Sequence, residues 1–169
     1  MNTLSTTRCW IYIVIAWTVH NLEEGLTMSR WYVSNEARLP ATDFIQISTM
    51  QQIFPIALII ATLLLFIISI LAIYKQWDTS ILGIVLGIFL VNAVQHLLIT
   101  VIFGGYSPGV VTACVLNLPL SIYLIRQLFK NNSLKNFSWL HIIVYGAIGF
   151  IIAIATIWVL AMSIYYFLP

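Results

Sequence analysis

The sequence predicts an all-α membrane protein, a single domain over residues 1–169 built as a bundle of about five transmembrane helices. Two observations carry this expectation. Apolar residues make up 62% of the chain and charged residues 7%, against about 45–50% and about 25% in ordinary soluble domains. Between the few charges also lie long uncharged runs, near the roughly 20 residues that a helix needs to cross a bilayer.

The first span is expected at 8–26. Arg8 precedes an apolar run from Cys9 to Val19 that is too short to span alone. No small-x-small cleavage site follows, so the run reads as a retained helix continuing to about Leu26. That continuation carries His20, Glu23 and Glu24 into the outer part of the membrane. Residues 27–52 are expected to lie outside it, as a polar loop with Arg30, Glu36, Arg38 and Pro40. The stretch from Thr42 to Phe54 is amphipathic, either an interfacial helix or the polar start of the next span.

A second span at 53–74 is nearly pure Ile, Leu and Ala, with Pro55 near its start. Lys75 to Thr79 is a short polar connection to a third span at 80–103. There Gly83 and Gly87 have the spacing of a small-residue packing face. Asn92, Gln95 and His96 lie further along. Gly104 to Gly109 reads as a tight turn, without the spacing of a phosphate-binding loop. The fourth span, at 110–128, contains Asn117 and Pro119. Proline frees a backbone carbonyl, which inside a membrane needs a partner or a cavity. Asn117 fits either satisfaction of that backbone or contact with a substrate. A polar loop then precedes a fifth span at 139–167, which ends in the interfacial pair Tyr165 and Tyr166. His141 begins that span and reads as interfacial.

A formal charge of +2, scattered along the chain, excludes a nucleic-acid partner and leaves membrane lipids as the surroundings. Cys9 and Cys114 read as small packing residues. Five spans put the termini on opposite sides. Arg8, Lys75, Arg126, Lys130 and Lys135 fall on one side, and Arg30 and Arg38 on the other. The excess of positive charge predicts a cytoplasmic N-terminus and an outside C-terminus; the cell (plasma) membrane is the expected location, on which the charge pattern itself does not bear.

The same layout gathers the unusual polar residues in one half of the membrane. His20, Glu23 and Glu24 share a helix face near the outer end of the first span. His96 lies about 10 Å before the outer end of the third span, and Asn117 about 12 Å below the turn at Tyr106 to Gly109. Ionisable groups at membrane depth are costly and call for partners or a purpose.

Two histidines with carboxylates make a metal-ligand set. His20, Glu23, Glu24 and His96 are the candidate ligands, and zinc or iron suits them. Glu23 or Glu24, when not a ligand, is a candidate general base on water activated by the metal. Tyr106 is a candidate donor to a developing charge, and Asn92, one turn from His96, a candidate orienting group. This describes an intramembrane metal-dependent hydrolase or oxidoreductase acting on a lipid or another apolar small molecule. The same residues also fit a metal-free acid–base enzyme, a carrier, or a scaffold in which the polar cluster joins helices.

With these residues in view, the chain is similar to the HXXEE family of small integral membrane proteins. That pattern is a His-x-x-Glu-Glu, a later histidine and a Tyr-x-Pro-Gly. Here it is His20-Asn21-Leu22-Glu23-Glu24, His96 and Tyr106-Ser107-Pro108-Gly109. The resemblance implies that His20, Glu23, Glu24, His96, Tyr106, Pro108 and Gly109 form a site and its framework, and it supplies no substrate.

Overall fold

The computed structural model describes residues 5–39 and 47–167. Among them all regular structure is helical, with five long helices joined by short turns and no strand. These are α1 (Thr6–Asn35), α2 (Ile47–Tyr74), α3 (Thr79–Phe103), α4 (Val110–Lys130) and α5 (Trp139–Phe167). The expected helical bundle is present.

Four of these helices, α2 to α5, are long and apolar enough to cross a membrane. The sequence suggested about five. Length does not set α1 apart, since its 30 residues extend about 45 Å. Its composition does: His20, Asn21, Glu23 and Glu24 interrupt its apolar run. Three of these face inward, with His20 fully buried, Asn21 6% exposed and the Glu24 side chain 12% exposed. Asn21 donates from Nδ2 to Thr62 Oγ1 (2.8 Å) and to the Leu58 carbonyl (3.3 Å), joining α1 to α2.

Helix α1 also runs well past Leu26, to Asn35. Polar side chains in this extension satisfy their own helix: Thr27 donates to the Glu23 carbonyl and Asn35 to the Trp31 carbonyl. Trp31 packs edge-on against Phe103, with ring centroids 4.8 Å apart. A single 3-10 turn, Glu36–Arg38, then carries Arg38 across the C-terminal end of α3. There its guanidinium donates to the carbonyls of Phe103 and Ile102, which have no partner inside the helix. Of the amphipathic stretch, residues 42–46 lie outside the described residues, and residues from Ile47 onward form the start of α2. Pro55 consequently sits inside a helix rather than at its first turn.

Helix α3 begins at an Asp78 cap, whose Oδ1 accepts from Ser80 N at 2.7 Å. That bond holds the Asp78 carboxyl below its ordinary pKa. The helix ends at Gly104, in the left-handed conformation at φ 64°. Between these ends α3 packs most closely on α5. A Cβ on Gly87 would overlap the Ile142 carbonyl oxygen, and one on Gly146 would reach Gly87 Cα at 2.7 Å. The small-residue face read from Gly83 and Gly87 therefore has a partner, Gly146, at a backbone-to-backbone contact.

Helix α4 is interrupted by one π turn, Ala113–Asn117, two residues before Pro119. Proline lacks the N–H of the regular ladder and its ring crowds the preceding turn. The wider turn accommodates both. The main core lies where α1, α3 and α4 meet, around Ile13, Leu86, Phe89 and Leu124. His141 lies at the start of α5, where its Nδ1 accepts from Ser138 N at 3.1 Å. It is a capping partner, far along the chain from the motifs.

Candidate functional site

The site is made where α1, α3 and the start of α4 converge. Residues four apart lie on one helix face, so α1 presents His20 and Glu24 together. The Glu24 carboxylate spans two imidazoles: Oε2 stands 3.8 Å from His20 Nε2, and Oε1 3.5 Å from His96 Nε2. The imidazole rings meet edge to face with centroids 4.8 Å apart. One donor atom from each of the three residues lies within 4.8 Å of the other two. Both histidines are buried, at 0% and 4% exposure, while the Glu24 side chain keeps 12%.

Glu23 points to a different neighbourhood. Its Oε1 accepts from Tyr106 OH at 2.8 Å and Val111 N at 3.2 Å. Its Oε2 accepts from Thr112 N at 2.7 Å and from the Thr112 hydroxyl. A carboxylate at a helix N-terminus meets unpaired N–H groups and the positive end of the helix dipole, so Glu23 caps α4. The sequence offered both glutamates as ligands. The structure separates them, because adjacent helical positions point about 100° apart: Glu24 joins the histidines and Glu23 holds the turn.

Thr112 links the two halves. Its hydroxyl donates to Glu23 Oε2, with the Gly109 carbonyl a second acceptor at 3.2 Å, and its oxygen lies 2.9 Å from His20 Nδ1. With the hydroxyl proton committed, its oxygen accepts, which assigns the imidazole proton to Nδ1 from the hydrogen-bond network. Nε2 is then unprotonated; it stands 3.8 Å from Glu24 Oε2 and, though buried, has no hydrogen-bond partner. Thr112 is the residue bonded to the cluster that the sequence reading missed. The available signal was a hydroxyl in the first turn of a helix opened by Pro108-Gly109.

The turn itself is fitted to the cluster. Gly109 adopts φ +81°, and a Cβ there would meet His20 Cε1 at 2.7 Å, Glu24 Cγ at 2.8 Å and His96 Cε1 at 2.9 Å. Ser107 donates to the His96 carbonyl at 3.1 Å and pairs with Thr100 at 2.8 Å, fastening the turn to α3. Tyr106 is committed to Glu23 and to Thr27 Oγ1 (3.2 Å) and is 44% exposed. Partial burial raises its hydroxyl above the ordinary tyrosine pKa; the Thr27 contact opposes this and the Glu23 charge adds to it. It therefore remains a donor, directed at Glu23 rather than into the cluster. Asn92 meets His96 Nε2 through its Nδ2 at 3.3 Å. Asn117 is fully buried in the π turn with neither side-chain polar atom hydrogen-bonded, and takes no part in the bonds of the cluster.

Beside the cluster, a cavity of about 500 Å³ opens among α1, α2, α3 and α5. Glu24, Asn92, Gln95 and His96 form its polar wall, with Pro108 beside them. Asn21, Tyr32 and Ser107 also line it, and the rest is apolar, including Trp17, Trp31, Phe54 and Trp158.

A family model described as "Protein of unknown function with HXXEE motif" matches residues 10–124, which hold all three motifs. The chain is also 27% identical over 151 residues to the uncharacterized protein YrkK of Bacillus subtilis (strain 168), covering 86% of this chain and 89% of that one. No solved structure matches.

Proposed function

Because the chain belongs to the HXXEE-motif family, we propose from its own site that it is a metal-dependent membrane enzyme acting on a lipid or another apolar small molecule. The observation that carries this reading is the buried His20–Glu24–His96 cluster with an unpartnered His20 Nε2 at its centre. A buried polar atom left unpaired costs about 1–3 kcal/mol, and a ligand removes that cost. Donor atoms about 2.0–2.1 Å from a tetrahedral ion stand about 3.4 Å apart. The observed 3.5 and 3.8 Å go to different oxygens of Glu24, and with one donor atom from each residue the set spans up to 4.8 Å, so the side chains would close in on the ion.

His20, Glu24 and His96 would hold the ion, with Asn92 giving up its contact to His96 Nε2. When bound, zinc supplies Lewis-acid catalysis of hydrolysis, and iron on two histidines and a carboxylate supplies oxidation. Glu23 acts through Thr112 to hold the His20 tautomer, and Tyr106 acts through Glu23; both are positioning residues. Asn92 and Gln95, on the polar wall, orient the substrate's polar group.

Metal content of the detergent-purified protein tests the reading. Wild type is expected to carry near-stoichiometric zinc or iron, with His20→Ala and His96→Ala reduced to background yet still folded and inserted. Equal metal in all three, or none in any after reconstitution, sinks it. The second reading, metal-free acid–base chemistry by Glu24 and the histidines, has the same contacts in its favour. It predicts turnover that survives chelation.

Orientation is part of the same proposal. With α1 crossing as a fifth span, the N-terminus is cytoplasmic and the C-terminus outside, in the plasma membrane. In a background lacking Cys9 and Cys114, a membrane-impermeant maleimide applied to intact cells should label Gly105→Cys and spare Ser133→Cys. The reverse pattern would invert the topology.

A further inference from the structure

We propose that the cavity beside the cluster binds a single apolar chain ending in an uncharged hydrogen-bonding head, such as an ester or alcohol, drawn sideways from the membrane. The inference rests on the preceding reading of the same site and names the substrate class. Three observations carry it.

The first is the distribution of polarity. The head-recognising groups, Asn92, Gln95 and His96 with Glu24, sit on one wall, and the remainder is mainly aliphatic and aromatic. A pocket with one polar wall and an apolar body suits a molecule built the same way. A volume of about 500 Å³ is within the range of small-molecule sites, about 300–1,000 Å³.

The second is charge. No lysine or arginine lines the cavity among the described residues, and Glu24 is its only carboxylate. Phosphate heads are ordinarily met by Arg or Lys. Amides of Asn and Gln instead match carbonyl and hydroxyl groups, to which they both donate and accept.

The third is the route. A groove of about 400 Å³ runs along the outer surface between α1 and α2, past Thr18, Leu22, Gly25 and Leu63. Asn21 and Leu58 line this groove and the inner cavity alike. These two residues are therefore the partition between them. Gly25 lies against the same leucine, with a Cβ position 3.4 Å from Leu58 Cδ1. A shift of the Leu58 side chain would thin this partition while Asn21 stays bonded to α2.

The test is saturation binding to the full chain, purified and stripped of metal, with three probes: monooleoylglycerol, oleic acid and a lyso-phosphatidylglycerol. Monooleoylglycerol is expected to bind saturably at one molecule per chain, with the two anionic probes at least ~tenfold weaker, a difference of about 1.4 kcal/mol. Ala153→Phe and Ile154→Trp, on the α5 wall, should each weaken that binding ~tenfold or more, with elution profile and helicity unchanged. The proposal is overturned by non-saturable binding, by anionic probes binding as tightly, or by undiminished binding in both filled variants. Because the ion is absent throughout, chain binding without metal uptake overturns the metal centre alone. Metal uptake without chain binding overturns this inference alone.

Discussion

Gly109→Ala is expected to abolish metal uptake while leaving the bundle helical and inserted. The added Cβ would come within 2.7 to 2.9 Å of His20 Cε1, Glu24 Cγ and His96 Cε1. All three are closer than real Cβ contacts, and they belong to the three residues of the cluster. The intruding atom pushes them apart together. These side chains have little room to retreat: His20 is fully buried against Trp17, and His96 is 4% exposed. Alanine at φ +81° adds backbone strain of about 1–2 kcal/mol. Gly104→Ala separates the two effects. That glycine is also left-handed, at φ +64°, but has nothing within 4 Å of its Cβ position. Its replacement should lower stability by a similar ~1–2 kcal/mol and leave metal content unchanged. Mass spectrometry of both variants, beside circular dichroism, reads the contrast. Full metal content in Gly109→Ala would mean that the cluster is not where the ion binds.

The periodicities that act along one helix were legible in the sequence. His20 and Glu24 are four residues apart, so their shared face follows from helix geometry alone. The depth of His96 follows from counting residues back from the Gly104 turn. What sequence spacing could not supply was the assignment of the two glutamates. Glu23 and Glu24 are chemically identical, and only the N-terminus of α4, arriving between them, gives one a cap to make and the other a cluster to complete. Thr112 escaped notice for the same reason, because its role depends on His20 lying 92 positions away and on a hydroxyl proton already committed to Glu23. The extension of α1 to Asn35 was hidden by composition: Arg30, Ser34 and Asn35 resemble a loop. Their setting explains the helix, since Trp31 packs on Phe103 and Arg38 caps α3. The cavity was not legible at all. Its walls come from four helices, and the apolar residues that line it are indistinguishable in sequence from those that face lipid.

The division of labour between the adjacent glutamates yields the second large expectation. Glu24→Gln should reduce metal content to background, because an amide replaces the only carboxylate that reaches both imidazoles. Glu23→Gln should weaken affinity by ~10–100-fold, the usual effect of losing an outer hydrogen-bonding partner. The amide can present an N–H to Thr112, leaving the Gly109 carbonyl at 3.2 Å as the hydroxyl's remaining acceptor, and the His20 Nδ1 proton is held less firmly. Thr112→Val should weaken binding over the same range by removing the Nδ1 partner outright. The pair Glu23→Gln/Thr112→Val should be little worse than either single change, since both act through one chain of hydrogen bonds and coupled sites are not additive. Zinc titration against a competing chelator measures all four variants on one scale. Equal losses in Glu23→Gln and Glu24→Gln would mean that the two carboxylates share the ion. A fully additive double variant would mean that Glu23 acts on the cluster by a route other than Thr112, through the α4 cap as a whole.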